Sequence, residues 1–528
     1  MGLIRSKYYG IIRGVTVGIA FLLQIVTMIL LAMYLLRSAV IIYFIFEVIS
    51  VVTVFALVND AESYKMSWIV IILVIPVAGL FLYFQWGRRR SNSKYFKRFR
   101  RCDEHMQESL KKNEKPEAAL DLEKCHPNKV QISRYLRKEG FPVYNNTQVT
   151  YYEVGEDVLD AILEDLKRAE KSILMEYFIV SDGRVWQDIL EVLTRKVQEG
   201  VEVKLLFDDF GTLRINTHAF KKDIRARGIE MCIFNPIHRD IARLSFNYRN
   251  HQKMTIIDGN IAYTGGFNLA DEYANYITRF GHWKDSGIRL YGEGVYSFTC
   301  FFFEMWRISN PDVEVSEADY RPTAAVEEEG YVQPFMGGPH RNPHNQGYVQ
   351  PFMGGPHRNP HNPTEGAYTR MINKARDYIY ITTPYLVLDR KMLGDLMNAA
   401  QSGVDVRIIV PKIYDKWYVY MVNVSNYGKL MESGVRIFEY EPGFIHAKNV
   451  IADDECAICG TINTDYRSFY LHYECGVFIS EMSAVQDMKE DFMRTLEKCN
   501  EMDLESWSRR PIGNKMVQAA LRVLSPLL

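Results

Sequence analysis

The chain has 528 residues, which is long enough for two soluble domains with additional segments. Hydrophobic residues make up 48% of it and aromatic residues 13%, as expected for a well-packed protein that also carries membrane segments. The formal net charge of −1 gives no overall basic field, which argues against a nucleic-acid-binding protein.

Three apolar stretches lie within residues 1–90, which we interpret as a membrane-anchoring segment. Gly14 to Leu36 and Met66 to Gly87 contain no charged residue and are long enough to span a bilayer. Ser38 to Asn59 is apolar except for Glu47. This glutamate indicates a non-spanning segment, an imperfect helix packed against its neighbours, or a functional position.

The basic residues that flank these stretches bear on topology. The cluster from Arg88 to Arg101 is the strongest positive flank and predicts that the rest of the protein faces the cytoplasm. Arg5, Lys7 and Arg13 precede the first stretch, so two and three membrane crossings both stay open. We expect a multi-pass protein of the cell membrane.

The body of the chain repeats one order of elements. After a charged connector at 91–128, helical over about Lys97 to Lys124, the first half occupies 129–318 and the second half 366–528. Each half begins with a strand, an amphipathic helix closed by a glycine, and a second strand. This repetition predicts an α/β fold of two homologous domains with mixed sheets flanked by helices. The elements are 173–178, a helix to Gly200 and 201–207 in the first half, and 378–381, a helix to Gly403 and 404–410 in the second.

One short pattern occurs once in each half. A lysine follows a histidine by two residues, an aspartate follows it by seven, and an asparagine by seventeen. Chance agreement at so many positions is remote, so we expect the two halves to build one site. The copies are His251-Gln252-Lys253, Asp258, Gly265-Gly266 and Asn268, and His446-Ala447-Lys448, Asp453, Gly460-Thr461 and Asn463.

These residue types suit attack on a phosphate ester. An imidazole acts as nucleophile or general acid, a lysine stabilises charge on phosphate oxygens, and an asparagine adds a neutral donor. His251 to Thr264 reads as a hairpin with its turn at Asp258-Gly259-Asn260, so His251 and Lys253 lie on one face. The two aspartates are candidate catalytic groups, and turn formers by position.

The motifs resemble the duplicated HxKx4D signature of the phospholipase D superfamily, and the whole chain, to Leu528, resembles its bacterial cardiolipin synthases. The resemblance implies two phospholipase D-like domains that transfer a phosphatidyl group between phosphatidylglycerol molecules without a metal or other cofactor. It implies that one histidine attacks phosphorus and the other protonates the departing glycerol, roles that we assign to His251 and His446. The expected partners are phosphatidylglycerol and membrane lipids, and the oligomeric state stays open. The expected catalytic residues are His251, Lys253, Asp258, His446, Lys448 and Asp453, with Asn268 and Asn463 binding substrate.

The same resemblance implies that each histidine is oriented by a carboxylate further along its own repeat. Glu474, in the strand-like stretch from His472 to Val477, fits this position for His446. Asp285 is the counterpart for His251, at a longer spacing from its asparagine. Two rival functions stay open: a hydrolase that uses water as the acceptor, and a catalytically silent membrane scaffold, against which the two complete motifs argue.

A tandem duplication lies in the linker at 319–365. The sixteen residues from Gly330 to Asn345 recur, after Gln346, from Gly347 to Asn362. Their proline, glycine and asparagine content predicts a loop rather than part of the core. The histidines of this segment have no cysteine or acidic partner nearby, so we do not expect them to bind a metal.

Two further patterns concern the second half. Cys456 and Cys459 form the one CxxC pair among eight scattered cysteines, and we expect both to be buried strand residues in a reducing compartment. Apolar residues recur at helical spacing near the end of the chain, which predicts a helix that lies on the membrane surface or packs on the body. They are Met516, Val517, Ala520, Leu521 and Leu524.

Overall fold

A computed structural model describes residues 62–83, 94–125, 130–237, 248–311, 313–324, 326–338 and 362–525, with a few isolated residues before 62. Nearly all of the apolar stretch 14–36, most of 38–59 and the linker residues 339–361 lie outside this part. The predictions made for those residues stay predictions.

Two short helices replace the continuous span predicted over 66–87. Helix α1 covers Glu62–Val74 and α2 covers Pro76–Leu82, because Pro76 lacks an N–H and begins a new helix. The ring centroids of Trp68 and Tyr83 lie 5.4 Å apart, whereas fifteen residues of straight helix would separate them by about 22 Å. The two helices therefore fold back on each other. No helix in the described ranges is long and apolar enough to cross a membrane.

The charged connector is helical, as predicted. It forms α3 (Lys94–Lys112) and α4 (Pro116–Cys125), and α5 (Val130–Lys138) follows. Buried apolar residues of α3 join the main core of the body, and this contact fixes the connector against the first half.

The first half contains a seven-stranded mixed sheet with the strand order β1-β9-β7-β6-β2-β3-β4. Strands β2, β3 and β4 are parallel, and β6, β7, β9 and β1 continue the sheet in antiparallel pairs. The predicted strands at 173–178 and 201–207 are β2 and β3. The elements are β1 (Thr147–Tyr152), α6 (Gly155–Lys167), β2 (Ser172–Tyr177), α7 (Arg184–Gln198), β3 (Glu202–Asp208), α8 (His218–Ala226), β4 (Glu230–Phe234), β5 (Arg249–Asn250), β6 (Met254–Ile257), β7 (Ile261–Gly265), β8 (His282–Lys284), β9 (Gly287–Gly292) and α9 (Val295–Ser309).

The second half repeats this sheet. Its order is β10-β17-β16-β15-β11-β12-β13-β18, so the strands from β17 to β13 match those from β9 to β4 one for one. Two homologous α/β domains are therefore confirmed, as are the glycines after the first helices, since Gly200 and Gly403 have φ of 91° and 96°. The elements are β10 (Tyr331–Gly337), α10 (Pro363–Lys374), β11 (Tyr378–Thr382), α11 (Arg390–Gln401), β12 (Asp405–Pro411), α12 (Trp417–Glu432), β13 (Arg436–Tyr440), β14 (Gly443–Ile445), β15 (Asn449–Ala452), β16 (Cys456–Gly460), α13 (Tyr466–Tyr470), β17 (His472–Ser480), α14 (Ser483–Leu496), β18 (Cys499–Glu501), α15 (Leu504–Ser508) and α16 (Ile512–Leu524).

The beginning of the duplicated linker is core, and the prediction of a loop there is wrong. Residues 331–337 form β10, which is buried along its whole length and pairs with β17. Pro334 is tolerated because β10 is the edge strand of its sheet. The end of the second copy is also structured, since the Asn362 side chain accepts a hydrogen bond from the Glu365 N–H and caps α10.

The two smaller predictions in the second half are confirmed. Cys456 and Cys459 are buried residues of β16. The helix predicted near the end of the chain is α16, which packs against α12 and also contacts α1, where Ser67 donates a hydrogen bond to the carbonyl of Val523. It thus packs on the body, although Gln518 is its one buried residue and Ile512, Met516, Val517 and Val523 remain exposed.

Candidate active site

Two short parallel strand pairs cross from one half of the molecule to the other. In the first, β5 pairs with the start of β17, and the His251 N–H donates to the carbonyl of Tyr473 at 2.9 Å. In the second, β14 pairs with β8, and the His446 N–H donates to the carbonyl of Lys284 at 2.7 Å. Each histidine is therefore held by the strand that carries a carboxylate of the opposite half.

The carboxylate partners are exchanged relative to the prediction. His251 Nδ1 lies 2.9 Å from Glu474 Oε1, and His446 Nδ1 lies 2.7 Å from Asp285 Oδ2. The assignment of each carboxylate to the histidine of its own repeat is wrong, because the crossing strands place it beneath the other histidine. In both pairs Nδ1–H donates to the carboxylate, which leaves the Nε2 lone pair free to react.

The two carboxylates differ in their other partners. Glu474 also accepts hydrogen bonds from Thr461 Oγ1 at 2.5 Å and Ser468 Oγ at 2.8 Å. Asp285 accepts one from the backbone N–H of Ser286 at 3.0 Å and a longer one from Trp283 Nε1–H at 3.5 Å. In the first repeat Gly266 takes the place of Thr461, and a Cβ there would lie 2.0 Å from Asp285 Oδ1. The glycine thus makes room for Asp285.

Both lysines of the motifs are buried beside the histidines. Lys253 Nζ donates to the carbonyl of His251 at 2.5 Å, and Lys448 Nζ donates likewise to the carbonyl of His446. Burial lowers the pKa of Lys253 to about 8, against the raising influence of Glu474. Burial, reinforced by the charge of Lys253, lowers the pKa of Lys448 to about 7. The site therefore holds positive charge where water cannot solvate it.

The histidines are neutral at pH 7 in this environment. Burial and the charge of Lys448 lower the pKa of His446 to about 4, although Asp285 opposes the shift. Burial and the charges of Lys253 and Lys448 hold the pKa of His251 well below its usual value. An entering phosphate anion would offset the lysine charges and favour protonation of an imidazole.

The aspartates of the two motifs lie at the hairpin turns, away from the histidines. Asp258 has a φ of 53° and Asp453 a φ of 55°, both in the left-handed region. The Asp258 carboxylate accepts hydrogen bonds from the N–H groups of residues 170–172, at 2.6–2.9 Å, and Asp453 accepts those of residues 376–378 at 2.8–3.0 Å. We correct their assignment as catalytic residues: they fix each hairpin to the strand before it.

The asparagines of the two motifs are buried but not equivalent. Asn268 accepts a hydrogen bond from the Ile179 N–H and donates one to Tyr273 Oη, 2.8 Å away. Asn463 Oδ1 is buried and has no hydrogen-bond partner among the described residues. Asn463 therefore retains a polar atom for substrate, while Asn268 positions Tyr273.

Aromatic rings enclose the two histidines, and the sequence analysis did not identify them. Phe178 packs on His251 with ring centroids 4.9 Å apart. Tyr273 and Trp283 pack on His446 at 5.6 and 5.3 Å, and Phe444 lies 5.8 Å from it. In the sequence, Phe444 lies two residues before His446, Trp283 lies two residues before Asp285, and Phe178 directly follows β2. Their convergence depends on the crossing strands.

One group in the described part of the chain has the spacing of metal ligands: His251, His472 and Glu474, whose ligand atoms lie within 4.8 Å of one another. The donor set fits a cation poorly. Arg467 Nε donates to His472 Nε2 at 3.2 Å, and Lys253 lies next to His251. These positive charges suit an anion instead.

The fold and this paired arrangement define a phospholipase D-like protein, and comparison with known families agrees. Residues 162–277 and 368–496 match the family described as cardiolipin synthase, phospholipase D-like domain. Residues 39–88 match the family described as phospholipase D-nuclease N-terminal.

Named relatives cover most of the chain. Cardiolipin synthase 2 of Bacillus anthracis is 32% identical over 473 residues, which are 89% of this chain and 88% of that protein. Cardiolipin synthase of Geobacillus kaustophilus is 31% identical over 484 residues, 91% of this chain and 92% of that protein. The crystal structure of a phosphatidylserine synthase from Haemophilus influenzae shares the fold, with a TM-score of 0.56, 16% identity, and coverage of 75% of this chain and 100% of that chain. The chain belongs to the cardiolipin synthase family of phospholipase D-like proteins.

Proposed function

We propose that this protein transfers a phosphatidyl group from one phosphatidylglycerol molecule to the free hydroxyl of another, which yields cardiolipin and glycerol. The observation that carries the proposal is the paired arrangement of two buried histidines, each with its Nδ1 on a carboxylate of the opposite half and a buried lysine beside it. The relatives named cardiolipin synthase support the choice of substrate.

In the first step His251 Nε2 attacks the phosphorus of phosphatidylglycerol. A P–N bond forms, the P–O bond to the terminal glycerol breaks, and the glycerol oxygen takes a proton from His446 Nε2. Lys253 and Lys448 stabilise the charge on the non-bridging oxygens, as preorganised donors do at a developing oxyanion. The entering phosphodiester raises the proton affinity of His446, because it offsets the lysine charges that depress the pKa of that histidine.

In the second step the hydroxyl of another phosphatidylglycerol attacks the phosphohistidine. Neutral His446 accepts the hydroxyl proton, a P–O bond forms, the P–N bond breaks, and His251 is regenerated. His446 thus acts as the general acid in the first step and as the general base in the second.

The assignment of the two histidine roles rests partly on resemblance and partly on their carboxylates. Asp285 raises the pKa of His446, and its other donors are the Ser286 N–H at 3.0 Å and the more distant Trp283 Nε1–H at 3.5 Å. Glu474 divides its charge between His251 and two hydroxyl donors. His446 therefore has the stronger support for a proton, which suits the general acid, and His251 is better suited to attack as a neutral imidazole.

The N-terminal residues support a location at the cytoplasmic face of the cell membrane. The uncharged stretch 14–36 and the basic cluster from Arg88 to Arg101 favour a membrane anchor with the body in the cytoplasm. An anchored body would meet its lipid substrate at the bilayer surface.

A hydrolase that uses the same residues would release phosphatidic acid instead of cardiolipin. The purified full chain is incubated with phosphatidylglycerol vesicles, and the lipid products are identified by mass spectrometry. We expect cardiolipin and glycerol in equal amounts. Phosphatidic acid as the main product would replace the transferase with the hydrolase, and no product from either reaction would reject both.

The roles of the histidines are tested by trapping the intermediate. Wild-type protein is quenched under alkaline conditions after a short reaction with labelled phosphatidylglycerol, because a phosphorus–nitrogen bond is acid-labile, and the labelled peptide is mapped. We expect the label on His251, none in His251→Ala, and slowed labelling in His446→Ala, since a general acid contributes roughly 10²–10⁴-fold. Label on His446 would reverse the assignment.

A further inference from the structure

Exposed apolar side chains are concentrated on three loops of the body. Between residues 130 and 500, eight large apolar side chains are exposed in the described part of the chain, and seven of them lie on these loops. We call residues 209–216, 275–280 and 412–417 the apolar rim. The seven side chains are Phe210, Leu213, Tyr276, Ile277, Ile413, Tyr414 and Trp417.

The first loop of the rim is connected to His251. A Cβ on Gly211 would lie 1.9 Å from the carbonyl oxygen of Phe178, whose ring packs on His251. Asp208, at the start of this loop, accepts hydrogen bonds from the N–H groups of Phe210 and Asn250. Phe210 and Leu213 are therefore held close to the nucleophile's side of the site.

The other two loops are connected to His446. The second loop follows Tyr273, which packs on the His446 ring. In the third loop, Lys416 Nζ donates to Tyr385 Oη at 2.8 Å, and Tyr385 donates to Asp415 at 2.6 Å. The Tyr385 ring lies 6.5 Å from that of Phe444, which is beside His446. The rim thus borders both halves of the site.

The exposed charged residues of the rim all carry positive charge. They are Arg214, Arg279, Lys412 and Lys416, whereas Asp209 is buried and Asp415 is half-buried. Three of these four cations have acidic partners, since Arg279 lies 3.9 Å from Glu272, Lys412 contacts Glu441 and Lys416 contacts Asp415. Apolar side chains beside exposed cations are the combination that binds anionic bilayer surfaces.

The third loop is also continuous with the helices nearest the N-terminal segment. Trp417 is the first residue of α12, α12 packs against α16, and α16 contacts α1. A surface that runs from the rim through α12 and α16 to α1 therefore joins the site to the end of the proposed membrane anchor.

We propose that the apolar rim docks onto an anionic phospholipid bilayer and inserts its apolar side chains between the headgroups. The inference rests on the proposed function, which places the substrate in that bilayer. Docking holds the two histidines against the headgroup layer, so that a phosphodiester reaches them while the acyl chains stay among lipids.

The first test separates lipid docking from chemistry. Full-length wild type, Leu213→Ser/Trp417→Ser and Met493→Ser are compared on phosphatidylglycerol vesicles and on dihexanoyl phosphatidylglycerol, which disperses as monomers. We expect the double variant to lose tenfold or more in kcat/KM on vesicles and to stay within twofold of wild type on the monomeric lipid. Met493 is the exposed large apolar residue outside the rim among the described residues between 130 and 500, and its variant should match wild type on both substrates. Equal losses on both substrates, or no loss on vesicles, would overturn the proposal.

The second test does not depend on turnover. Hydrogen exchange of the full chain is measured in nanodiscs of phosphatidylcholine alone and of phosphatidylcholine with phosphatidylglycerol. We expect peptides that cover 209–216 and 412–417 to exchange more slowly with the anionic lipid. Exchange that is independent of lipid charge would overturn the proposal. Protection that disappears when each disc holds one copy of the chain would also overturn it, and would indicate a contact between two copies instead. If wild type converts neither substrate but shows this protection, the proposed function fails while docking stands.

Discussion

At the scale of single residues, the notable feature of the site is that two lysines are buried with no described carboxylate in hydrogen-bond contact. Lys253 and Lys448 each donate to a backbone carbonyl, and burial lowers the pKa of both. Such an arrangement costs folding free energy, since buried charges are poorly compensated by neutral acceptors. The same arrangement favours reaction of a phosphodiester, because amine donors that are already fixed in place need no reorganisation as charge develops on the phosphate oxygens.

Lys448→Met should therefore abolish turnover and stabilise the fold. We expect activity to fall by about 10²-fold or more, and Lys253→Ala and Lys448→Ala to fall likewise. The melting temperature of Lys448→Met should rise by a few degrees, because methionine fills the space without a charge. The lysine keeps its proton up to about pH 10.4 in the unfolded chain, whereas Lys448 loses it near pH 7 in the folded protein. The stability of the wild type therefore rises between these two pH values, and the stability advantage of Lys448→Met shrinks as pH rises.

Lipid assays and thermal unfolding at pH 6 and pH 9 check this prediction. Lys489→Met is the matched control, because Lys489 is a surface residue paired with Asp454. It should change neither activity nor melting temperature. Near-wild-type activity of the Lys448 variant would remove the lysine from the site.

The same pKa shifts predict the pH dependence of substrate capture. Lys448 and Lys253 have pKa values of about 7 and about 8 in the empty site, so both lose their charge as pH rises from 7 to 9. We expect kcat/KM to fall roughly tenfold per pH unit between pH 7 and pH 8 and more steeply above pH 8, toward about a hundredfold per unit, because the anion then meets a site that has lost both charges. kcat should fall less, since bound phosphate keeps the amines protonated. A pH profile with a monomeric phosphatidylglycerol measures both, and a flat kcat/KM up to pH 9 would contradict the shifts.

At the scale of elements, each hairpin is fixed to its sheet by the aspartate at its turn. The carboxylates of Asp258 and Asp453 each accept three backbone N–H groups that precede a central strand. The two turns are thus built alike, and the matched spacing from histidine to aspartate follows from the length of the hairpin strand.

Asp258→Ala should lower stability rather than catalysis. We expect a loss of about 1.5–3 kcal/mol in the free energy of unfolding, the range for hydrogen bonds to a charged group. The folded variant should keep kcat within a few-fold of wild type. Chemical denaturation and kinetics on the same preparation separate the two effects. Asp160→Ala is the control, because Asp160 is an exposed acidic residue of α6 with no described side-chain hydrogen bond. A kcat loss as large as that of His251→Ala would restore the catalytic assignment.

The sequence predicted the strands, the hairpins and the histidine and lysine positions because each depends on local pattern and spacing. It did not predict which carboxylate orients which histidine, because β5 with β17 and β8 with β14 pair across the two halves. Spacing within a repeat carries no information about such a crossing. The buried strand Tyr331–Gly337 was missed for a related reason: its proline and glycines resemble a loop, and only the edge of the second sheet gives it a partner.

At the scale of the whole molecule, the two halves are joined by a buried ion pair next to the site. Lys284 Nζ, in β8, lies 2.7 Å from Asp491 Oδ1, in α14, and Tyr151 Oη donates to Asp491 Oδ2 at 2.6 Å. Lys284 and Tyr151 belong to the first half, whereas the third partner of Asp491, Thr495 Oγ1 at 3.3 Å, lies one turn further along α14. Lys284 directly precedes Asp285, which holds His446.

Asp491→Asn should therefore destabilise the protein and weaken activity together. Loss of one partner of a buried pair costs roughly 3–5 kcal/mol, because the other charge stays buried. Glu501→Gln is the matched control, since its pair with Arg436 is exposed and such pairs contribute about 0–1 kcal/mol. Urea denaturation of both variants gives the comparison. Equal midpoints would show that the pair contributes nothing to the joining of the halves.

The duplicated linker leaves and re-enters the body at one place. Gly337 ends β10, and a Cβ on it would lie 2.7 Å from the side chain of Thr364, in the first turn of α10. The described residues on either side of 339–361 therefore lie close together. Because the two copies are identical, a protein that lacks one of them still contains the β10 sequence and an asparagine directly before Pro363.

Deletion of Gln346 to Asn362 should leave folding and activity intact. Asn345 then takes the capping position of Asn362, and the shorter loop gains about 1 kcal/mol of closure entropy. Deletion of both copies should abolish activity, because it removes β10, which pairs with β17 up to Glu474, the residue that holds His251. Thermal unfolding and cardiolipin synthesis by both deletion proteins distinguish the two outcomes. Loss of activity in a folded single deletion would mean that the second copy contributes to the site.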